Sequence, residues 1–226
     1  MKKLGIITAS DTELEPFFDY FSENSQMTKA KIVFHVGTFC GIEAILAYSG
    51  VGKVNAALCA ELMIESFSPN LIISAGTAGA LDPSLNVFDT IISDSVFYHD
   101  MDEGILTEYH PYLETESFPA SSEIITAAEK ARGISAWPMV IGRIVSGDSF
   151  IPAERKAVIR EESGAIAVDM ESAAIAHVSY ANSVPFVAVR TITDTSCEGA
   201  EDFDQNVVIA SERSADIVSG IFRLAF

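Results

Sequence analysis

Ala165-Ile166-Ala167-Val168-Asp169-Met170-Glu171-Ser172-Ala173-Ala174-Ile175-Ala176 decides how the chain is read. A short apolar strand runs into two acids flanking a methionine, then continues directly as a helix of small residues. A carboxylate at such a junction can project into the crevice at the carboxyl ends of a parallel sheet, where open α/β folds bind ligands. The positive end of the helix dipole favours its ionised form there. An ionised carboxylate only accepts hydrogen bonds, which suits it to a ligand offering two hydroxyls, such as a ribose. On this segment alone, Asp169 reads equally well as an N-cap and Glu171 as a first-turn acid.

Outward from this junction, β-rich runs alternate with helical ones. Strands are expected at Leu4 to Thr8, Lys31 to Thr38, Gly41 to Tyr48, Leu71 to Ala75, Thr90 to Phe97, Arg143 to Ser146, Ile166 to Val168 and Phe186 to Ile192. Several are apolar throughout, as strands covered on both faces are. Helices are expected at Thr12 to Ser22, Lys53 to Phe67, Ser121 to Arg132, Pro152 to Glu162, Met170 to Ala181 and Asp204 to Leu224, with Pro16 tolerated near a first turn. The pattern predicts a layered α/β fold. The runs flanking Phe39-Cys40 read as an antiparallel hairpin, so the sheet is expected to be mixed. Asp100 to Ser122, broken by Gly104, Pro111 and Pro119, is the one long loop, of a length usually tied to function or to an oligomer contact.

The 226 residues, 49% of them hydrophobic, suit one compact domain, and the net charge of -18 speaks against nucleic acid or anionic membrane as partners. Cys40, Cys59 and Cys197 are widely spaced and odd in number, which fits reduced, buried thiols in a cytoplasmic protein. Acids at Asp11 and Glu13 interrupt the apolar start before a signal peptide could form, and no run approaches the roughly 18 residues of a membrane span.

Further blocks stand in order around the central junction: Gly5-Ile6-Ile7-Thr8-Ala9 with Glu13, Ser49-Gly50-Val51-Gly52-Lys53-Val54, Gly76-Thr77-Ala78-Gly79, Tyr98-His99-Asp100, Ile144-Val145-Ser146-Gly147-Asp148-Ser149-Phe150-Ile151 and Val189-Arg190-Thr191-Ile192-Thr193-Asp194. With Asp169-Met170-Glu171-Ser172-Ala173-Ala174, these resemble the nucleoside phosphorylase and nucleosidase superfamily, in its 5′-methylthioadenosine/S-adenosylhomocysteine nucleosidase branch. The resemblance spans nearly the whole chain. It implies a nucleoside phosphorylase-like, three-layer α/β/α fold with residues 1–226 as one nucleosidase domain, adenine nucleosides as small-molecule substrates, no cofactor and no metal, and a homodimer.

The resemblance also implies roles. Glu13 would activate a water, Asp194 would protonate the departing adenine through N7, and Glu171 with Met170 would hold the ribose. Protonation of Asp194 near neutrality requires desolvation or a neighbouring negative charge. Ala9, Val51, Thr77, Ala78, Gly79 and Thr193 would line the pocket, the Thr77 hydroxyl among its polar groups. Phe150 would stack on the purine, the backbone of Ile151 would read its edge, and Phe203, beyond the acidic loop Glu198 to Asp202, would act as a lid. Arg190 would orient Glu171 or Asp194. Glu15 is expected on the exposed side of its helix, and His99 and His177 are expected to be structural.

Three features bear on function. The stretch Ser74 to Ala80 follows a strand as a glycine-rich turn, yet it has neither a dinucleotide fingerprint nor the Lys-Ser/Thr of a P-loop. The first arginine is Arg132, so the early loops lack the guanidinium groups that related phosphorylases use to bind phosphate. That favours hydrolysis over the alternative, a phosphate-dependent purine nucleoside phosphorylase. After Asp100 the usual aromatic-rich stretch reads Met101-Asp102-Glu103-Gly104-Ile105-Leu106-Thr107-Glu108, with Ile105 or Leu106 in place of the aromatic contact to the 5′ substituent.

Overall fold

A computed structural model describes residues 3–195 and 200–225. The strands are β1 (Lys3–Thr8), β2 (Phe21–Lys29), β3 (Ile32–Phe39), β4 (Ile42–Tyr48), β5 (Leu71–Ala80), β6 (Thr90–Tyr98), β7 (Phe118–Pro119), β8 (Met139–Ser146), β9 (Ala167–Asp169) and β10 (Phe186–Asp194). The helices are α1 (Asp11–Leu14), α2 (Lys53–Phe67), α3 (Ser122–Arg132), α4 (Ala153–Ser163), α5 (Ser172–Ala181) and α6 (Ala200–Ala225), with a 3₁₀ helix at Glu15–Tyr20.

One mixed sheet runs β2-β3-β4-β1-β5-β9-β8-β6-β10, and β10 bonds back to β5. Five strands, β5, β9, β8, β6 and β10, therefore close into a ring, while β1, β4, β3 and β2 extend from it as a wing. Period-two alternation feeds both faces. Ile7 and Ile72 face α2 and α5 beside Ala56, Ala60, Met63 and Ile175. Their neighbours Ile6 and Ile73 face α3 and α6 beside Ile124, Ala127, Val218 and Phe222. Helices on both faces of a mixed sheet make the three-layer α/β/α arrangement that the sequence implied.

Most elements lie where the pattern put them; three differ. The helix expected over Thr12 to Ser22 stops after α1, because Pro16 cannot donate to the carbonyl four residues back and its ring crowds that turn. The chain tightens into the 3₁₀ helix and then enters β2, which the sequence did not announce. This edge strand reads FSENSQMTK, is largely exposed and has little apolar alternation to betray it. The stretch Ser74 to Ala80 is not a turn: it continues β5, whose ten residues are nearly all buried. The hairpin is as expected, with β3 and β4 antiparallel across Cys40 and Gly41 at φ 50° and 85°. Cys40 and Cys59 are free thiols, burial pushing that of Cys59 up to about 12, and Cys197 lies outside the described residues.

Registers gather the functional segments at one end of the sheet. Gly79 pairs with Val168 across β5 and β9, and Ser146 pairs with Asp169 across β8 and β9. On the other side of β5, Thr191 pairs with Thr77 and Ile192 with Ala78, after which an irregularity lets Asp194 pair with Gly79. The extra residue, Thr193, is a bulge that re-aims the end of β10.

Candidate active site

Glu13 sits one turn past the end of β1. Ser10 caps α1, its hydroxyl accepting from the Glu13 N–H at 3.2 Å, and the Glu13 carboxylate reaches back to the Ser10 N–H at 3.3 Å. The same carboxylate also accepts from the Ala9 N–H at 2.8 Å, the Thr77 N–H at 2.8 Å and the Thr77 hydroxyl at 2.7 Å. Glu13 is thus both a helix-capping acid and a carboxylate fixed by β5. The Thr77 hydroxyl proton is directed at Glu13, so only its oxygen lone pairs face the cavity. Glu15 is exposed, as its spacing suggested.

Gly76 is what lets Glu13 come so close. At φ 147° a Cβ there would lie 2.5 Å from Glu13 Oε1 and 2.7 Å from Arg190 Nη1. Arg190 lies opposite Gly76 on β10, and is 1% exposed. Its Nε meets Asp169 at 2.8 Å and the Ser172 hydroxyl at 3.1 Å, its Nη2 donates to the Ser74 hydroxyl at 2.7 Å, and it stands 3.7 Å from Glu171. Nη1 has no hydrogen-bond partner among the described residues. Of the two acids it was expected to orient, Arg190 lies near Glu171 and not Asp194, and it is not among the residues lining the cavity.

The two acids of the central junction divide their work. Asp169 receives the Glu171 and Ser172 N–H groups and the hydroxyls of Ser146 and Ser172, so it ties down the start of α5 from two residues before the N-cap position, which Glu171 occupies. Glu171 does not cap its own helix; its Oε1 accepts from the Gly52 N–H at 2.9 Å, at the start of α2. Burial, with Asp169 and Glu13 nearby and against the pull of Arg190, pushes the Glu171 carboxyl up to about 7. The dipole-favoured, fully ionised carboxylate expected from sequence is therefore opposed by desolvation.

Asp194 ends β10, 1% exposed. Its carboxylate accepts from the Thr193 hydroxyl at 2.9 Å, and a Cβ on Gly79 would press to 2.9 Å of it. Instead of the negative neighbour that sequence reasoning considered, its close charge is a cation: Lys156 Nζ lies 2.5 Å away, and also donates to the Thr195 carbonyl. Lys156 was not singled out in the sequence.

These groups surround one cavity of about 460 Å³. Glu13, Glu171 and Asp194 all line it, as do Ala9, Val51, Thr77, Ala78, Gly79, Phe150, Ile151, Met170, Thr193 and Phe203; of the residues expected there, Arg190 alone does not. Phe150 and Phe203 meet edge to face at 6.4 Å on its rim. The Ile151 side chain packs into the core with Ile159 and Val168, and Ile151 also borders the cavity. Residues Glu198 and Gly199 of the expected acidic loop lie outside the described residues.

The remaining expectations separate cleanly. His177 stacks on Phe118 at 5.3 Å and meets the Tyr98 hydroxyl, a packing role. His99 is half-buried, with Nε2 unpartnered among the described residues. Leu106 is packed in the core while Ile105 is 41% exposed, so of the two alternatives only Ile105 is available to reach beyond its own chain. No cluster of metal-ligating side chains occurs among the described residues, and no described helix is long and apolar enough to cross a membrane.

Residues 3–223 match the family model described as the phosphorylase superfamily. The chain belongs to that superfamily. Within it, the chain is 36% identical to the 5′-methylthioadenosine/S-adenosylhomocysteine nucleosidase of Staphylococcus haemolyticus, over 98% of its own length and 99% of that relative. A solved nucleosidase of this name from Neisseria meningitidis, in complex with methylthio-immucillin-A, superposes with a TM-score of 0.90 at 31% identity, covering 99% of each chain. The futalosine hydrolase of Helicobacter pylori superposes with a TM-score of 0.89 at 28% identity, covering 98% of this chain and 97% of the other. Superfamily membership and these relatives make the protein an enzyme of the glycosyl hydrolase kind.

Proposed function

We propose that the protein hydrolyses the N-glycosidic bond of 5′-methylthioadenosine and S-adenosylhomocysteine, releasing adenine and the thio-ribose. The observation that carries this reading is the convergence of Glu13, Glu171 and Asp194, from three distant parts of the chain, on one cavity. Glu13 takes a proton from water as the water attacks the anomeric carbon, Glu171 and Met170 hold the ribose, and Asp194 assists the departing adenine at N7. Base and acid then act on opposite faces of an oxocarbenium-like transition state. The unpartnered Arg190 Nη1, pressed with Glu13 Oε1 around Gly76, supports a water held between guanidinium and carboxylate.

Hydrolysis is favoured over phosphorolysis by charge. Five carboxylates and a single lysine line the cavity, and no arginine does among the described residues. A free phosphate dianion has no bidentate partner there. Residues 1–226 act in this reading as one domain, in a cytoplasmic homodimer whose products enter methionine salvage.

The test is a panel of 5′-substituted adenosines incubated with and without phosphate and scored for free adenine. Adenine release from 5′-methylthioadenosine, unchanged by phosphate, is the expected result; release only with phosphate, or none, overturns it. The Helicobacter pylori futalosine hydrolase likeness favours a second reading, in which a futalosine-type nucleoside is also cleaved, and the same panel extended by that substrate decides it.

A further inference from the structure

Lys156 is out of place by every ordinary rule for its helix. It is 1% exposed, on the same inner face of α4 as Ile159, where an apolar side chain would normally pack. Burying an ammonium is unfavourable unless it is paired and hydrogen-bonded. Here the pairing is with Asp194 at 2.5 Å and with the Thr195 carbonyl, and Lys156 is the only cation among the described residues lining the cavity. The contact joins α4 to the last residues of β10, just beyond the Thr193 bulge.

An acid paired with a cation poses a chemical problem for the proposed reaction. Departing adenine needs a proton, whereas a carboxylate held by an ammonium is stabilised without one. Lys156 resolves this because, unlike arginine, lysine can give up its proton in a buried site. We propose that Lys156 is the positioning residue of the leaving-group acid and the source of the proton that Asp194 delivers, an inference that rests on the hydrolytic reading above. Before the C1′–N9 bond breaks, a proton passes from Nζ to the Asp194 oxygen it contacts, leaving a neutral amine and a carboxylic acid; as the bond's electron pair goes to adenine, that same proton passes from Asp194 to N7 and the carboxylate is restored. The proton taken from water by Glu13 returns to solvent, and solvent reprotonates Lys156, so the reaction is the hydrolysis of one nucleoside by one water.

The experiment compares wild-type protein with Lys156→Met and Lys156→Arg on two substrates, 5′-methylthioadenosine and 4-nitrophenyl 5-methylthioribofuranoside, whose nitrophenolate leaves without a proton. General acid assistance is typically worth about 10²–10⁴ in rate. Lys156→Met is expected to lose about 10²-fold or more in kcat on the nucleoside, with KM within threefold, while hydrolysis of the nitrophenyl glycoside stays within threefold and reports an intact fold. Lys156→Arg keeps the charge but not the transferable proton, so it should restore less than a tenth of the lost kcat. A Met variant with near wild-type kcat on the nucleoside overturns the proposal. So does an equal loss on both substrates, which would mean a structural role, or full rescue by arginine, which would mean charge alone. Wild-type protein that releases no adenine overturns the hydrolytic reading itself; active wild type with an indifferent Lys156 overturns only this inference.

Discussion

Arg190, behind the cavity, and Lys156, which lines it, are both buried, yet they hold carboxylates by different means. Arg190 spreads over Asp169, Glu171, Ser172 and Ser74 from the middle of β10. Lys156 meets Asp194 and the Thr195 carbonyl at the strand's end. A planar guanidinium fixes several acceptors at set angles and stays charged, whereas an ammonium is a compact point charge whose proton can move. The difference teaches that one end of the cavity is built for geometry and the other for proton traffic.

The sharpest break of this comparison is at Glu13, which the Arg190 side of the site helps to frame. Glu13→Gln retains the shape but cannot take a proton, and should lower kcat for adenine release by about 10²–10⁴-fold; a loss under tenfold would remove Glu13 from the base role. Arg190→Met should cost about 3–5 kcal/mol of stability by leaving Asp169 buried without its charge partner, read by denaturant unfolding. An equally stable variant would show the network to be dispensable for folding.

A pH series sharpens the comparison next. With its carboxyl near 7 in the folded protein against a reference of 4.5, Glu171 holds a proton in the native state that the unfolded chain releases. Its contribution to stability is therefore full below about pH 4.5 and is lost as pH rises through about 7. Glu171→Gln should be more stable than wild type above pH 7, relative to their difference at pH 4.5, and parallel stability curves would dismiss the shift. Since a ribose-gripping carboxylate must be ionised, kcat/KM should also fall about tenfold per unit below pH 7. The smallest effect is expected at the rim, where Phe203→Ala removes one edge-to-face partner of Phe150. Such pairs are worth about 0.5–1.5 kcal/mol, so KM should rise up to about tenfold with kcat little changed.

Legibility from sequence followed the same division. Glu13, Glu171 and Asp194 each follow an apolar run, but that placement alone fits a helix-capping acid equally well, and only the resemblance of their motifs marks them out as site residues. Asp169 has two readings in the sequence, and its four hydrogen bonds and its ion pair with Arg190 make it the anchor of the start of α5, whose N-cap position is Glu171. Lys156 was hidden because Glu154-Arg155-Lys156-Ala157 reads as a solvated helix start, and nothing local says that its third residue turns inward. Gly76 and Gly79 misled in the opposite direction. Glycines suggest a turn, but here they thin a straight strand so that Glu13 and Asp194 can lie against it. β2 escaped notice because an exposed edge strand obeys no burial pattern.

The ring formed when β10 bonds back to β5 gives the molecule a stiff jaw. The strand bearing Asp194 and the strand gripping Glu13 are hydrogen-bonded neighbours, so neither can drift without dragging the other along. Accommodation of bulkier or slimmer guests is then left to the loosely covered lip, where Val51 and Phe150 remain 55% and 42% exposed, while the spacing between the working acids stays constant from one guest to the next.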